Sequence, residues 1–517
     1  MIFKKLLVLL LVSLWGIPRL CGQARNPVIF ADVPDPSMIR VGDTYYMSST
    51  TMHMNPGVPV MKSRDLVNWE IINYAYGILE EGERLNLENG KNMYSNGTWA
   101  SSLRYHKGTY YLSTFSNNTG KTYIFTTKDI EKGDWKMVSF RPAFHDHTLF
   151  FDAADRAYLI YGGGRLRMVE LNDDLSGVRE GTKEKVVIEN ATAPIGNNFI
   201  LNAEGSQLFQ HNGKYYMFNI AWPRGGMRTV IIHRADRIEG PWEGRVALQD
   251  QGVAQGGLID TPDGRWFSYL FRDYGAVGRI PYLVPVEWKD GWPVLGINGK
   301  VPETLALPAG KGLIPGIVAS DEFRRKKKSA DLPLVWQWNH NPDNRLWSVR
   351  ERKGYLRLKT GRTDGSVVEA RNTLTQRTTG PKSTGETALE LSGMQDGDRA
   401  GLVALQSDYG WVGVKAENGR KILVMVNAPE GRPVEQEAVE LKQDKVFLRI
   451  ACDFTDMKDE ALFCYSLDGR NWTPIGNTLK MKYKLTHFMG YRFGLFNYAT
   501  KQAGGYADFD WFRISQP

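Results

Sequence analysis

Short apolar runs and polar turns alternate along almost the whole chain, and in the first three hundred residues the alternation repeats itself. A turn followed by an aromatic strand appears as Gly42-Asp-Thr-Tyr-Tyr-Met, Lys107-Gly-Thr-Tyr-Tyr-Leu, Asp155-Arg-Ala-Tyr-Leu-Ile, Asn212-Gly-Lys-Tyr-Tyr-Met and Asp263-Gly-Arg-Trp-Phe-Ser. The copies lie about 50 to 65 residues apart, the length of a four-stranded blade with its loops. Each is followed by a polar turn leading to Trp or Leu: Asp65 to Trp69, Asp129 to Trp135, Asn172 to Leu175, Ile238 to Trp242 and Glu287 to Trp292. Long helical periodicity is absent, and β-branched and aromatic runs are bounded by Gly, Asn and Asp. The pattern predicts an all-β, five-bladed β-propeller, with a tandem of β-sandwiches as the alternative.

Near Leu305-Ala-Leu-Pro-Ala-Gly-Lys-Gly-Leu-Ile-Pro the composition turns rich in Pro and Gly and reads as a linker. After Asp321 the repeat stops. Alternating strands follow, among them Tyr355 to Thr360, Thr387 to Ser392, Ala400 to Gln406, Gly410 to Ala416, Lys421 to Val426 and Phe493 to Tyr498. They predict a second domain, a two-sheet β-sandwich of jelly-roll or concanavalin-like type. The expected division is a leader over 1–24, a propeller over 25–316 and a sandwich over 317–517.

The leader is Lys4 and Lys5, an apolar run from Leu6 to Trp15, and a break at Gly16 and Pro18. This is a secretory signal, and it predicts a secreted or periplasmic protein. The run is shorter than the roughly 20 residues that span a bilayer, and no later run is longer, so no membrane span is expected. Lipid attachment at Cys21 is the alternative, but Pro18, Arg19 and Leu20 are not the small residues that such processing needs. The net charge of +8 falls to about +5 without Lys4, Lys5 and Arg19. Its densest cluster, Arg324 to Lys328, is short and confined, which argues against a nucleic-acid partner. Cys452 and Cys464 lie in two strand-like segments, where a disulfide and two buried thiols are equally compatible with export. No CxxC pair, HExxH or phosphate-binding loop is present, and no cofactor is required.

Inner strands of a propeller point side chains into one funnel, so acids at blade starts are the candidates for chemistry. Asp35 is clamped between Pro34 and Pro36, each of which restricts the backbone, with Asp32 as a nearby rival. Asp146 sits between His145 and His147. If this is a strand, the histidines share one face and Asp146 the other. An H-x-H pair also occurs in metal sites, but no third ligand is apparent. Glu204 precedes Gly205 in a stretch poor in charge, where a dry setting raises a carboxyl pKa as a general acid requires. The plain alternative is a glutamate capping a turn.

Together these segments resemble glycoside hydrolase family 43, the five-bladed arabinofuranosidases and β-xylosidases, from about Asn26 to Leu305. The motifs are Pro34-Asp-Pro-Ser, Gly57-Val-Pro, Ser63-Arg-Asp-Leu-Val-Asn-Trp, Thr98-Trp-Ala-Ser-Ser, His145-Asp-His-Thr-Leu, Ala203-Glu-Gly-Ser-Gln, Thr261-Pro-Asp-Gly-Arg-Trp and Gly278-Arg-Ile-Pro. The resemblance implies that Asp35 is a general base, Glu204 a general acid and Asp146 the carboxylate that orients Glu204 and tunes its pKa. It further implies sugar contacts from Trp99 and Arg279 and an inverting mechanism with base and acid roughly 6.5 to 9.5 Å apart. Gln255 stands where many relatives have a channel histidine, which puts a structural calcium in doubt. Met52 and His53 replace rim aromatics of xyloside-active relatives, which tilts the expected substrate towards arabinofuranosides.

The region from about Asp321 resembles the sandwich of exo-acting members, which lends a loop to the pocket. The expected activity is exo-acting release of arabinofuranose or xylose from plant polysaccharide or oligosaccharide. An endo-arabinanase, a non-catalytic carbohydrate-binding propeller and a retaining enzyme of another five-bladed family are the alternatives.

Overall fold

The five turn-and-aromatic-strand repeats are the first turns and second strands of five antiparallel, four-stranded sheets in a computed structural model that describes residues 23–326 and 332–517. Residues 1–22 of the expected leader and part of the Arg324 to Lys328 run lie outside the described residues. Blade 1 comprises Ser37–Val41, Thr44–Ser48, Gly57–Ser63 and Glu70–Tyr76, and blade 2 comprises Ser101–His106, Thr109–Ser116, Lys121–Thr127 and Lys136–Phe140. Blade 3 runs from Thr148–Phe151 to Lys185–Ile188, blade 4 from Phe199–His211 to Glu243–Leu248, and blade 5 from Ala254–Asp260 to Trp292–Leu295. The five inner strands contact one another in a ring that closes from blade 5 back to blade 1. The second repeated pattern, the polar turn before Trp or Leu, is the connection from third to fourth strand in every blade.

Strand alternation explains why blades stack. In Lys121–Thr127, Tyr123 and Phe125 pack towards blade 1 while Ile124 packs towards blade 3. In blade 4, Met217 and Ile231 face blade 3, and Tyr216, Phe218 and Ile232 join the core shared with blade 5. Both faces of each blade are therefore apolar, as buried sheets require.

Gln23–Arg25 pairs with Thr304–Pro308 as a separate two-stranded sheet beside the ring, with Ala24 opposite Leu305. The first half of the expected linker is thus a strand, because Leu305 and Leu307 alternate into the core. Asn26 fastens the same seam, donating to the carbonyls of Leu283 and Pro302 and accepting from the Leu283 amide.

The C-terminal domain is the expected sandwich of two large antiparallel sheets. Met54–Asn55, from blade 1, pairs with Gln337–Asn339 and so forms the edge strand of one sandwich sheet. The two domains share a core, and their seam is specific. His53 and Tyr94 of the propeller pack ring to ring against His340 and His487 of the sandwich. Gly490 fits where a Cβ would lie 2.1 Å from the carbonyl oxygen of Val277.

Burial pushes His53 and His340 well below the ordinary histidine range and His487 down to about 3. The three imidazoles are therefore neutral in the folded protein, whereas unfolded histidine takes up a proton near pH 6.5. Their contribution to stability is complete above about pH 6.5 and is lost as the pH falls towards 3. His487, at about 3, contributes a loss of up to about 2 kcal/mol between pH 6.5 and 5, and His53 and His340 act in the same direction. The melting temperature should drop over that interval, and His53→Phe should flatten the dependence; an unchanged slope in the variant would exclude His53 as a source.

Cys452 and Cys464 are both free, since Cys452 pairs in register with Ala461 and Cys464 with Arg449. Both should alkylate in denaturant without a reductant, as peptide mass spectrometry would show.

Candidate active site

Asp35 lies just before the inner strand of blade 1 with a φ of 51°, a backbone state held by its neighbours. Its carboxylate is 8% exposed and accepts from the Thr50 hydroxyl at 2.5 Å and from Arg279 Nη1 at 3.0 Å to each oxygen. Arg279 begins the third strand of blade 5 and is 4% exposed. Its Nε and Nη2 have no protein partner, and Phe488 of the sandwich lies over its guanidinium at 4.7 Å. Asp32, the rival to Asp35, serves as a brace. Its carboxylate accepts from the backbone amides of Arg279 at 2.7 Å and Gly490 at 3.0 Å, tying blade 1 to blade 5 and to the sandwich.

Glu204 sits inside Phe199–His211, not ahead of a strand. The register with the neighbouring strand slips on both sides of it, and such irregularities re-aim side chains. Gly205, at φ 66°, leaves room for Gln255, whose Cδ would lie 2.8 Å from a Cβ there. Gln255 is therefore packed on the strand that carries Glu204.

Asp146 precedes the inner strand of blade 3 with a φ of 46° and is 7% exposed. Burial pushes its pKa up, the charges of Glu204 and Asp35 add to this, His145 opposes it, and the result is about 7.

The alternation expected for His145, Asp146 and His147 does not occur, because the positive φ at Asp146 breaks the strand pattern and the strand begins only at Thr148. His147 is buried, with Nδ1 2.8 Å from the Phe144 carbonyl. His145 turns into the site, its Nε2 3.2 Å from Glu204 Oε2 and 3.9 Å from Asp146 Oδ2. Burial disfavours its charged form, but the hydrogen bond to Glu204 and the two carboxylates outweigh this and raise its pKa to about 9. His145, Asp146 and Glu204 bring ligand-type atoms within 4.8 Å of one another.

Trp99 is half-buried, its amide donating to the Phe115 carbonyl, and its ring touches Phe115, His145 and Phe488. It therefore stands between the two carboxyl groups' surroundings. The other expected rim residues are elsewhere. Met52 is 2% exposed beneath Trp99 and Phe488, and His53 is 3% exposed in the domain seam. The Met52 to Asn55 segment turns away from the funnel because Met54 and Asn55 pair with the sandwich sheet. Sequence reasoning did not find Thr50, which stands in a plain Ser/Thr run, or Phe488, which lies more than two hundred residues beyond Arg279.

Acids from blades 1, 3 and 4 thus converge in two unlike settings, one against a guanidinium and one in a histidine–carboxylate cluster. The sequence profile for glycosyl hydrolases family 43 matches residues 24–293, and that for the beta xylosidase C-terminal concanavalin A-like domain matches residues 320–515. A beta-xylosidase of Formosa agariphila is 29% identical over 95% of this chain and 90% of its own length. A putative beta-xylosidase of Xylanibacter ruminicola is 30% identical over 89% of this chain and 84% of its own length. The solved structure of a bifunctional GH43-CE protein of Bacteroides eggerthii is 64% identical with a TM-score of 0.94, covering 96% of this chain. This chain spans 64% of that protein. The propeller, the sandwich behind it and the matched profiles agree: the chain belongs to glycosyl hydrolase family 43.

Proposed function

We propose that the protein is an exo-acting, inverting glycosidase that releases a terminal pentose from plant cell-wall glycans. The observation that carries this reading is the split between the two carboxyl environments. Inverting hydrolysis needs one carboxyl group to accept a proton from water and another to deliver one to the leaving oxygen. Asp35, oriented by Arg279 and Thr50, is the base; Glu204, beside His145 and Asp146, is the acid. Asp146, whose Oδ2 lies 3.9 Å from the same His145 Nε2 that meets Glu204, helps to orient the acid. Arg279 offers its unpartnered Nε and Nη2 to sugar hydroxyls, and Trp99 offers a ring face. Phe488 covers Arg279 from the sandwich side, which supports a pocket closed at one end and hence cleavage of terminal units.

The sugar is a xyloside or an arabinofuranoside. Met52 and His53 are buried and give the pocket rim no preference for arabinofuranose, and the names of the Formosa and Xylanibacter relatives support a β-xyloside as the first substrate to try. The name of a relative from Bacteroides ovatus, non-reducing end alpha-L-arabinofuranosidase BoGH43B, 25% identical over 98% of both chains, supports the second. A structural calcium is not part of the proposal, since Gln255 offers a single amide oxygen and lies packed on Gly205. The leader over 1–24 would export the enzyme to where such glycans are met.

Turnover of nitrophenyl xyloside and arabinofuranoside side by side, with product analysis on xylo-oligosaccharides and branched arabinan, tests the substrate. Glu204→Ala should lower kcat about 10²- to 10⁴-fold on a natural linkage and much less on a nitrophenyl glycoside, whose leaving group needs little protonation. Asp35→Ala should lose both activities by comparable factors. Near-wild-type turnover of either variant on an oligosaccharide would overturn the assignment. Phe488→Ala should raise KM several-fold with a smaller effect on kcat, because it removes a wall and leaves the carboxyl groups in place.

A further inference from the structure

His145 is the member of the acid cluster most open to water. Its side chain is 37% exposed, against 24% for Glu204 and 8% for Asp146. Trp99 and Phe115 of blade 2 hold the ring on edge, at centroid distances of 6.3 and 5.3 Å, so that Nε2 points at Glu204 Oε2. The charged groups acting on it are Glu204 from blade 4 and Asp146 on its own loop. Asp35 acts on the cluster through Asp146, and the neutral, buried His147 sits behind it. From blade 2, Trp99 and Phe115 contact its ring, and Arg104 acts on the neighbouring His147.

Inverting hydrolysis, on the reading given above, leaves the enzyme in the wrong protonation state after every turnover. Glu204 has given its proton to the leaving oxygen, and Asp35 has gained one from water. Both must be reset before the next substrate is cleaved. We propose that His145 is the relay that reloads Glu204. Nε2–H of the imidazolium breaks as a new O–H bond forms on Glu204 Oε2, leaving a neutral imidazole. The lone pair exposed on Nε2 then takes a proton from solvent, while Asp35 returns its own to solvent. Water and its buffer acids are the only co-reactants, and the protons balance over one cycle.

A residue that only positions Glu204 would be replaceable by another hydrogen-bond donor, and this separates the two roles. His145→Gln keeps an N–H for Glu204 but carries no transferable proton. Its kcat on a xylo-oligosaccharide should fall about tenfold or more with little change in KM, and should fall far less on a nitrophenyl glycoside. Added imidazole should restore the lost kcat in a saturable way and leave the wild type unaffected. Wild-type rates in His145→Gln, or an equal loss on both substrates without response to imidazole, would overturn the relay. If His145→Gln melts well below the wild type, His145→Asn takes its place with the same outcomes. A wild type that turns over normally keeps the glycosidase reading intact whichever way the variants fall, whereas a wild type inactive on both pentosides overturns the pentose reading first.

Discussion

Asp35 and Arg279 form an ion pair that is almost wholly out of water, and much of the molecule is arranged around it. Removing two charges from solvent costs more than their attraction returns unless further hydrogen bonds complete the geometry. Here the completing groups come from three parts of the chain. Thr50 belongs to blade 1, the Arg279 amide is held by Asp32, and Asp32 is held in turn by the Gly490 amide of the sandwich. Closing the ring between blades 1 and 5 and docking the sandwich therefore assemble the same carboxylate. Separating the domains would leave Asp32 short of a partner and would uncover Arg279 where Phe488 now lies.

The second carboxyl group is built differently. Glu204 lies on the inner strand of blade 4 and Asp146 on the loop before that of blade 3, and their mutual repulsion is moderated by His145. Asp146 is buried more deeply than Glu204, and burial pushes its pKa up. Two carboxyl groups of similar intrinsic acidity are thereby given unlike neighbours by position alone.

The sandwich does more than cover apolar surface. It accepts Met54–Asn55 as an edge strand, packs two histidines against His53 and Tyr94, and delivers Phe488 over Arg279. The residues expected to line the pocket, Met52 and His53, are consumed by this docking. Phe488 enters in their place.

The strand pattern was legible because alternation is a local property: a side chain's face follows from its neighbours' spacing, and aromatic second strands recur at blade length. The clamped Asp35 and the charge-poor surroundings of Glu204 were visible for the same reason. What the chain order could not convey is direction at irregular backbone. The positive φ at Asp146 swings His145 into the site against the strand alternation, and the slipped register around Glu204 aims it inward. Nor could it convey contacts between distant segments, such as Leu305 with Ala24 or Phe488 with Arg279. By itself the sequence determined the elements, their repeat and the identity of the acids, since these depend on residues near one another in the chain. Only the tertiary structure decided which groups meet, because meeting depends on the closure of a ring and the seating of a second domain, where burial and partner choice are settled across hundreds of residues.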